Sequence, residues 1–267
     1  MELAGKVAIV TGGASGIGVA LCRRFAAGGA AGVAVADLDG EGCAAMAAAL
    51  ASSGTRAIGV PTDAATPAAV VALVERAEAE LGPIDLFCAN AGIAVSGGVE
   101  VPDETWQRIW EVNVMAHVYA ARAVIPGMAA RGGGYFLTTA SAAGLLTNLG
   151  SAPYSVTKHA AVALAEWLAI THAHEGITVS CLCPQGVRTP MLLGGLTAGD
   201  PAGSSVLASG AMLEPEDVAE AVVDALREER FLVLPHPEVA TYMRHRADDP
   251  ERWLRGMRRL WDEVREG

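Results

Sequence analysis

The sequence predicts a single α/β domain built on a doubly wound parallel sheet of about seven strands, with helices on both faces. Short apolar, β-branched runs alternate with Ala-rich helical stretches along most of the 267 residues, as expected for consecutive β-α-β units. Neither an internal repeat nor a linker interrupts this alternation. Glycine-rich and polar motifs follow the ends of the strands, where parallel sheets bind their ligands.

The first half of the chain contains four predicted strands, at residues 6–11, 32–37, 55–61 and 84–89. The first reads Lys-Val-Ala-Ile-Val-Thr, a β-branched run that indicates a strand buried on both faces. Helices are expected between these strands. The third of them should begin with Thr66 as N-cap and Pro67 in the first helical position.

The second half continues the pattern with strands at 135–140, 178–182 and 231–234. A long helical stretch over 102–130 contains Asn113, and we expect Pro126 to bend this helix or end it early. Ser141 directly follows the fifth strand. Tyr154 and Lys158 lie on the helix that comes next.

Residues 190–214 are rich in Gly, Ala and Ser and are predicted to form a substrate lid within a domain that spans 1–237. Met191 and Leu192 should line an apolar pocket beneath it. Residues 238–267 are predicted to be a helical extension with locally basic charge, held by Trp253 and Trp261 as buried anchors. The extension packs either on its own subunit or across a subunit boundary.

The net charge of −11 and the lack of a basic patch argue against nucleic acid and against an anionic membrane surface as partners. The N-terminus shows no signal-peptide pattern, so a cytoplasmic protein is expected. Five cysteines lie in apolar or Ala-rich runs, typical of free buried thiols. We predict no metal site, because the histidines and cysteines lack ligand spacing.

A glycine-rich turn with Gly12, Gly16 and Gly18 joins the first strand to a helix. Such a turn lets backbone amides at a helix N-terminus face a pyrophosphate, although the spacing differs from the commoner Gly-x-Gly-x-x-Gly. Asp37 ends the second strand, where a carboxylate binds a ribose 2′-hydroxyl and repels a 2′-phosphate. Since Ser15 and Leu38 carry no cation, NAD is favoured over NADP. The alternative is that Asp37 only caps the following turn.

Tyr154 and Lys158 are four residues apart and therefore share one helix face. A phenol has a pKa of about 10, and lowering it to about 7 requires about 4 kcal/mol. An ammonium about 5 Å away supplies about 3 kcal/mol at an effective dielectric constant of about 20. The pair, with Ser141 nearby, predicts an acid/base tyrosine. The alternative is a buried tyrosine beside an unrelated surface lysine.

Taken together, these motifs resemble the short-chain dehydrogenase/reductase family, which has a single-domain Rossmann fold, over about residues 3–235. The order and spacing of the motifs are those of the family. The matching positions are Thr11, Gly12, Gly16, Gly18, Asp63, Asn90, Ala91, Gly92, Asn113, Ser141, Tyr154, Lys158, Pro184 and Thr189.

The resemblance implies a role for each catalytic position. Tyr154 would be the acid/base, and Lys158 would bind the nicotinamide ribose and lower the pKa of the tyrosine. Ser141 would orient the substrate oxygen, and Asn113 would distort its helix and hold a water in a proton relay.

The resemblance also implies a set of cofactor and substrate contacts. The cofactor set is Gly12, Ser15, Gly16, Ile17, Gly18, Asp37, Leu38, Asp63, Ala64, Asn90, Ala91, Gly92, Tyr154, Lys158, Pro184, Gly186, Val187 and Thr189. The expected substrate contacts are Ala143, Gln185, Met191 and Leu192. Gln185 stands where the family usually has glycine.

We therefore expect an NAD-dependent alcohol dehydrogenase or carbonyl reductase. It would move a hydride between nicotinamide and a secondary alcohol or ketone of a largely apolar small molecule. Alternatives are an NADP-dependent ketone reductase, a non-catalytic nucleotide sensor on the same fold, and a lyase or epimerase that keeps NAD bound. A homodimer or homotetramer, joined partly through the helix that carries Tyr154, is expected.

Overall fold

The protein is described by a computed structural model that covers residues 1–197, 201–208 and 210–266. Its centre is a seven-stranded sheet in which every neighbouring pair is parallel. The strands are β1 Val7–Thr11, β2 Gly32–Asp37, β3 Arg56–Pro61, β4 Leu86–Ala89, β5 Gly134–Thr139, β6 Ile177–Leu182 and β7 Leu232–Val233. Their order, β3-β2-β1-β4-β5-β6-β7, confirms the predicted doubly wound fold.

Helices cover both faces of the sheet. They are α1 Gly16–Ala27, α2 Gly40–Ser52, α3 Pro67–Leu81, α4 Asp103–Trp110, α5 Ala116–Ala130, α6 Ala152–Thr171, α7 Pro190–Thr197, α8 Pro201–Ala208, α9 Pro215–Glu228, α10 Glu238–Asp248 and α11 Pro250–Glu266. Helices α3, α5 and α6 pack on one face, and α1, α2 and α9 on the other.

The strands are continuous apolar runs because both of their faces are buried. Ile9 belongs to the core beneath α3, α5 and α6, and its neighbour Val10 belongs to the core beneath α1, α2 and α9. Successive residues of a strand point to opposite faces, so both must be apolar here. Phe87 and Phe136, on adjacent strands, stack with ring centroids 5.8 Å apart.

Pro126 does not end its helix early, which was one of the two outcomes expected for it. Helix α5 contains this proline and continues to Ala130. The irregularity comes earlier, where Glu111–Met115 forms one turn of π-helix between α4 and α5. Ile125 and Met128 are buried in the core on either side of the proline, and this packing outweighs the single helical hydrogen bond that a proline removes.

The C-terminal extension is helical, as expected, and is divided into α10 and α11 at Asp249. Trp253 and Trp261 are half-buried rather than buried. Trp253 lies against Tyr242, with ring centroids 6.4 Å apart, and Trp261 lies under the Arg265 guanidinium.

The segment predicted to be a lid contains α7 and α8, while residues 198–200 and 209 lie outside the described residues. All five cysteines are free and buried. Within the described ranges, no helix has the length and apolar character needed to cross a membrane.

Candidate active site

A cleft of about 690 Å³ opens along the carboxyl ends of the strands. It lies where the strand order reverses between β1 and β4, the position at which doubly wound sheets bind ligands. Helices α7 and α8, in the segment predicted to be a lid, and the C-terminal helices contribute its outer wall.

The glycine-rich turn after β1 has the geometry that a bound pyrophosphate requires. Gly12 and Gly16 have φ values of +65° and +48°, a region that L side chains rarely adopt. A Cβ at Gly18 would lie 1.9 Å from the Gly12 carbonyl oxygen, so Gly18 allows α1 to pack on β1. The N-terminus of α1 therefore reaches the cleft beside Ser15 and Ile17, and its amides suit an anionic ligand.

Asp37 ends β2 at the edge of the cleft. Its Oδ2 accepts a hydrogen bond from the Ala14 N–H at 3.1 Å, and its Oδ1 accepts from the Asp39 N–H at 3.3 Å. The cap of α2 is a different residue, Asp39, which accepts from the Gly42 N–H. Asp37 therefore ties the glycine-rich turn to β2 and faces the cleft, and capping alone does not account for it.

The far end of the cleft contains an ion pair that the sequence did not reveal. The Asp63 Oδ1 accepts from the Ala65 N–H at 3.0 Å. Its Oδ2 lies 3.9 Å from Nη1 of Arg108, which comes from α4 and also lines the cleft. Arg108 sits in an ordinary amphipathic helix, and nothing in the local sequence indicates that this helix reaches the cleft.

Asn90 joins the ends of β1 and β4. Its Nδ2 donates to the Thr11 carbonyl at 3.0 Å, and the Thr11 hydroxyl oxygen accepts from the Asn90 and Ala91 N–H groups at 3.0 and 3.1 Å. These contacts fix the floor of the cleft, where Gly92 keeps the backbone open towards Lys158.

Asn113 lies in the π-helical turn. Its Oδ1 accepts from the Ile93 N–H, and its Nδ2 donates to the Ile93 carbonyl, both at 2.9 Å. Nδ2 also lies 3.2 Å from the Thr157 hydroxyl on α6. The side chain thus holds the loop after β4 against the helix that carries Tyr154.

Ser141, Tyr154 and Lys158 meet at the inner end of the cleft. The Lys158 ammonium is buried, donates to the Thr139 carbonyl at 2.9 Å, and lies 5.6 Å from the centre of the Tyr154 ring. The Ser141 Oγ accepts from the Ala143 N–H at 3.1 Å and lies 3.4 Å from the Pro184 carbonyl. The structure thus brings together the trio that the sequence predicted.

The electrostatics of the trio differ from the expectation. Burial lowers the pKa of Lys158 to about 8. Burial also raises the pKa of Tyr154, and a hydrogen bond with Ser141 opposes this only in part. With protein groups alone, the loss of water around the phenol outweighs the hydrogen bond with Ser141, so the predicted lowering of the tyrosine pKa is not present.

Most of the predicted contacts line the cleft. These are Gly12, Ser15, Gly16, Ile17, Asp37, Leu38, Asp63, Ala64, Asn90, Ala91, Gly92, Ala143, Pro184, Gln185, Val187, Thr189, Met191 and Leu192. Two predicted cofactor contacts, Gly18 and Gly186, do not line the cleft. Gly18 packs against Gly12, and a Cβ added to Gly186 would lie 3.2 Å from Cγ1 of Val206 in α8.

The outer wall contains residues that sequence reasoning did not name individually. Tyr242 of α10 and Met257 and Leu260 of α11 line the cleft together with Trp253. The apolar periodicity of the extension predicted a helix near the pocket mouth, and these are the residues that reach it. Which of them face the cleft depends on the break at Asp249, which the pattern did not place.

The chain is similar in sequence and in fold to known proteins. The profile of the short chain dehydrogenase family matches residues 6–194. The chain belongs to the short-chain dehydrogenase family. It is 40% identical over 253 residues to 1-deoxy-11-beta-hydroxypentalenate dehydrogenase of Streptomyces exfoliatus, covering 93% of this chain and 90% of that one.

Two further family members extend the comparison. Cis-4-hydroxycyclohexanecarboxylate dehydrogenase of Sinomonas cyclohexanicum is 36% identical, over 81% of this chain and 87% of its own. A Burkholderia phymatum family member solved in complex with NAD superposes with a TM-score of 0.86 at 31% identity, covering 94% of this chain and 96% of that one. The protein is accordingly an oxidoreductase that acts on hydroxyl or keto substrates with a nicotinamide cofactor.

Proposed function

We propose that this short-chain dehydrogenase uses NAD to oxidise a secondary alcohol on an alicyclic, carboxylate-bearing molecule, with Tyr154 as the acid/base. The observation that carries the proposal is the position of the trio. Ser141, Tyr154 and Lys158 lie at the inner end of a single cleft, and the carboxylate of Asp37 lies at its edge where β2 ends.

The residues along the cleft fit a dinucleotide. The amides at the start of α1 would hold its pyrophosphate, and Asp37 would bind a ribose 2′-hydroxyl. A 2′-phosphate would meet the same carboxylate, and Arg108, at this end of the cleft, is paired with Asp63. The residue beside Asp37 is Leu38, which is exposed and carries no charge. These features support NAD rather than NADP.

The trio divides the work on the substrate oxygen. The Ser141 hydroxyl would donate a hydrogen bond to it, and the Tyr154 oxygen would take the hydroxyl proton as the alcohol is oxidised. Lys158 would hold the nicotinamide ribose and stabilise the phenolate by its charge. The bound nicotinamide supplies the hydride acceptor. Asn113 supports this arrangement by keeping α6 against the loop after β4.

The substrate end of the cleft favours a bulky, largely apolar ring. Leu146, Tyr242, Trp253, Met257 and Leu260 line it. The two relatives named above act, by their names, on a hydroxypentalenate and a hydroxycyclohexanecarboxylate, which are cyclic hydroxy acids. Asn148 lines the same end and would offer an amide donor to the carboxylate.

A panel of alcohols tests this function. Cis- and trans-4-hydroxycyclohexanecarboxylate, their methyl esters, cyclohexanol and 2-hexanol are offered with NAD and with NADP, and absorbance of the reduced nicotinamide is followed. We expect turnover with NAD and a higher kcat/KM for the cyclic acids than for 2-hexanol. Tight NAD binding without turnover of any alcohol or of the matching ketones would instead indicate a nucleotide sensor.

We also propose that the protein is a homodimer or homotetramer joined partly through α6. Trp167 and Ile170 on this helix are 56% and 78% exposed, respectively, and Trp110 on α4 is 38% exposed. Large apolar side chains on neighbouring helices are typical of a surface that a second copy covers.

A further inference from the structure

One buried histidine, His236, makes hydrogen bonds with both ring nitrogens just beyond β7. The Gln185 N–H donates to its Nδ1 at 3.1 Å. Its Nε2 lies 3.1 Å from the Gly186 carbonyl oxygen and 3.2 Å from that of Ala211. A carbonyl oxygen can only accept, so the proton is on Nε2 and the ring is neutral.

These contacts join three segments that are far apart in sequence. Gln185 and Gly186 belong to the loop after β6, which forms part of the cleft wall, and Ala211 belongs to the last part of the predicted lid, between α8 and α9. The same two segments pair nearby, where the Leu213 N–H donates to the Gly186 carbonyl and the Arg188 N–H to the Leu213 carbonyl, both at 2.9 Å. His236 closes the open side of this pairing.

The start of the C-terminal extension meets the same place. A Cβ added to Gly210 would lie 2.9 Å from Oε1 of Glu238, the first residue of α10, and 3.4 Å from Oε1 of Gln185. The cleft wall, the lid and the extension therefore converge around one imidazole, which is 2% exposed. We call Gln185, Gly186, Gly210, Ala211 and His236 the junction.

We propose that His236 is a positioning residue that holds the loop 184–189, and through the junction the lid, in the conformation that binds cofactor and substrate. The inference rests on the proposed function, in which Val187 and Thr189 of this loop, which line the cleft, would lie beside the nicotinamide. A loop with fewer anchors samples more conformations. The apparent Kd of the ligand then rises as the fraction of protein with a binding-competent loop falls.

Conservative and non-conservative variants of the full chain test this role. His236→Leu removes both polar nitrogens. His236→Gln restores an N–H near the Nε2 position, and His236→Asn restores an acceptor near the Nδ1 position. His174→Leu is the matched control, because the His174 side chain is 76% exposed on the loop before β6. For each variant we would measure melting temperature, the Kd of NAD, and KM and kcat for the alcohol.

We expect His236→Leu to raise the Kd of NAD and the KM of the alcohol by about tenfold, as for a loop that is competent about a tenth of the time. The kcat at saturation should change much less. His236→Gln or His236→Asn should recover part of the loss, and His174→Leu should match the wild type. Binding constants within twofold of wild type in a folded His236→Leu protein would overturn the inference. So would losses in the Gln and Asn variants equal to those in the Leu variant.

Amide hydrogen exchange at Gln185 and Arg188 gives a second reading that needs neither cofactor nor turnover. Exchange at both amides should accelerate in His236→Gln and in His236→Asn, because each variant restores only one of the two sets of contacts that the imidazole makes. This reading remains available even if His236→Leu fails to fold. If the wild type does not bind NAD, the proposed function is contradicted, but the comparison of exchange rates between wild type and variants still tests the role of His236. Exchange at wild-type rates in both folded variants would show that His236 does not position the loop.

Discussion

At the scale of single residues, burial governs the site more strongly than the charges do. Lys158 and Tyr154 were expected to form a pair in which the cation lowers the pKa of the phenol. In the protein, both groups are displaced towards their neutral forms, because each has lost water. A positive charge close to the phenol, such as that of a bound oxidised nicotinamide, would favour the phenolate of Tyr154.

The pH dependence of stability gives a test of the buried lysine. Burial lowers the pKa of Lys158 to about 8 from its ordinary 10.5, so the unfolded chain binds this proton more tightly than the folded one. The burial of the charged lysine destabilises the folded protein. This effect is fully present below pH 8 and disappears as the pH rises towards 10.5. The free energy of unfolding of the wild type, measured with urea, should therefore rise between pH 7.5 and 9.5 relative to that of Lys158→Met.

The chain offers a matched control, because its other lysine, Lys6, is part of a surface ion pair with Asp85. Lys6→Met should lower the free energy of unfolding by at most about 1 kcal/mol. The wild type should not gain stability relative to Lys6→Met as the pH rises from 7.5 to 9.5. A stability difference between wild type and Lys158→Met that stays constant over this range would show that the folded protein does not depress the pKa of Lys158.

The proposed preference for NAD over NADP also rests on single residues. Asp37 should make NAD bind more tightly than NADP, since its carboxylate repels a 2′-phosphate. The double change Asp37→Ala and Leu38→Arg should narrow or reverse the ratio of the two dissociation constants. Leu38→Arg alone serves as the control and should have the smaller effect. Tighter binding of NADP than NAD by the unmodified protein, in a direct titration, would contradict the role of Asp37.

At the scale of elements, the sequence predicted the core strands well and the helices that surround the cleft less well. The strands that end in Thr11, Asp37 and Ala89 were recognisable because apolar runs buried on both faces end abruptly at polar motifs. Arg108 and Tyr242 were not recognisable, since they reach the cleft through the docking angles of α4 and α10. Those angles depend on the π-helical turn and on the rest of the packing, which periodicity does not encode.

The C-terminal extension supplies the test at this scale. Trp253 lines the cleft and Trp261 does not, although both rings are half-buried on α11. Trp253→Ala should therefore raise the KM for a cyclic alcohol about tenfold, the equivalent of about 1.4 kcal/mol, with little change in the Kd of NAD. Trp261→Ala should leave both constants near wild type. Equal effects of the two changes would show that α11 contributes to stability and not to the substrate wall.

At the scale of the whole molecule, the prediction concerns α6, on which the single chain leaves large apolar side chains exposed. Replacing Ile170 with Glu should lower the mass measured by light scattering, because a carboxylate buried at a contact between copies is costly. Val71→Glu, on the partly exposed side of α3, is the control and should keep the wild-type mass. A monomeric wild type, or an unchanged mass for Ile170→Glu, would remove α6 from the contact.

The most direct test of the proposed function is the turnover of Tyr154→Phe with NAD and an alcohol that the wild type oxidises. Loss of the acid/base should reduce kcat by about 10²-fold or more, while the Kd of NAD stays near the wild-type value. Tyr119→Phe, which removes a hydroxyl that pairs with Glu111 away from the cleft, is the matched control and should retain activity. A kcat for Tyr154→Phe within threefold of wild type would contradict the assignment of Tyr154 as the acid/base.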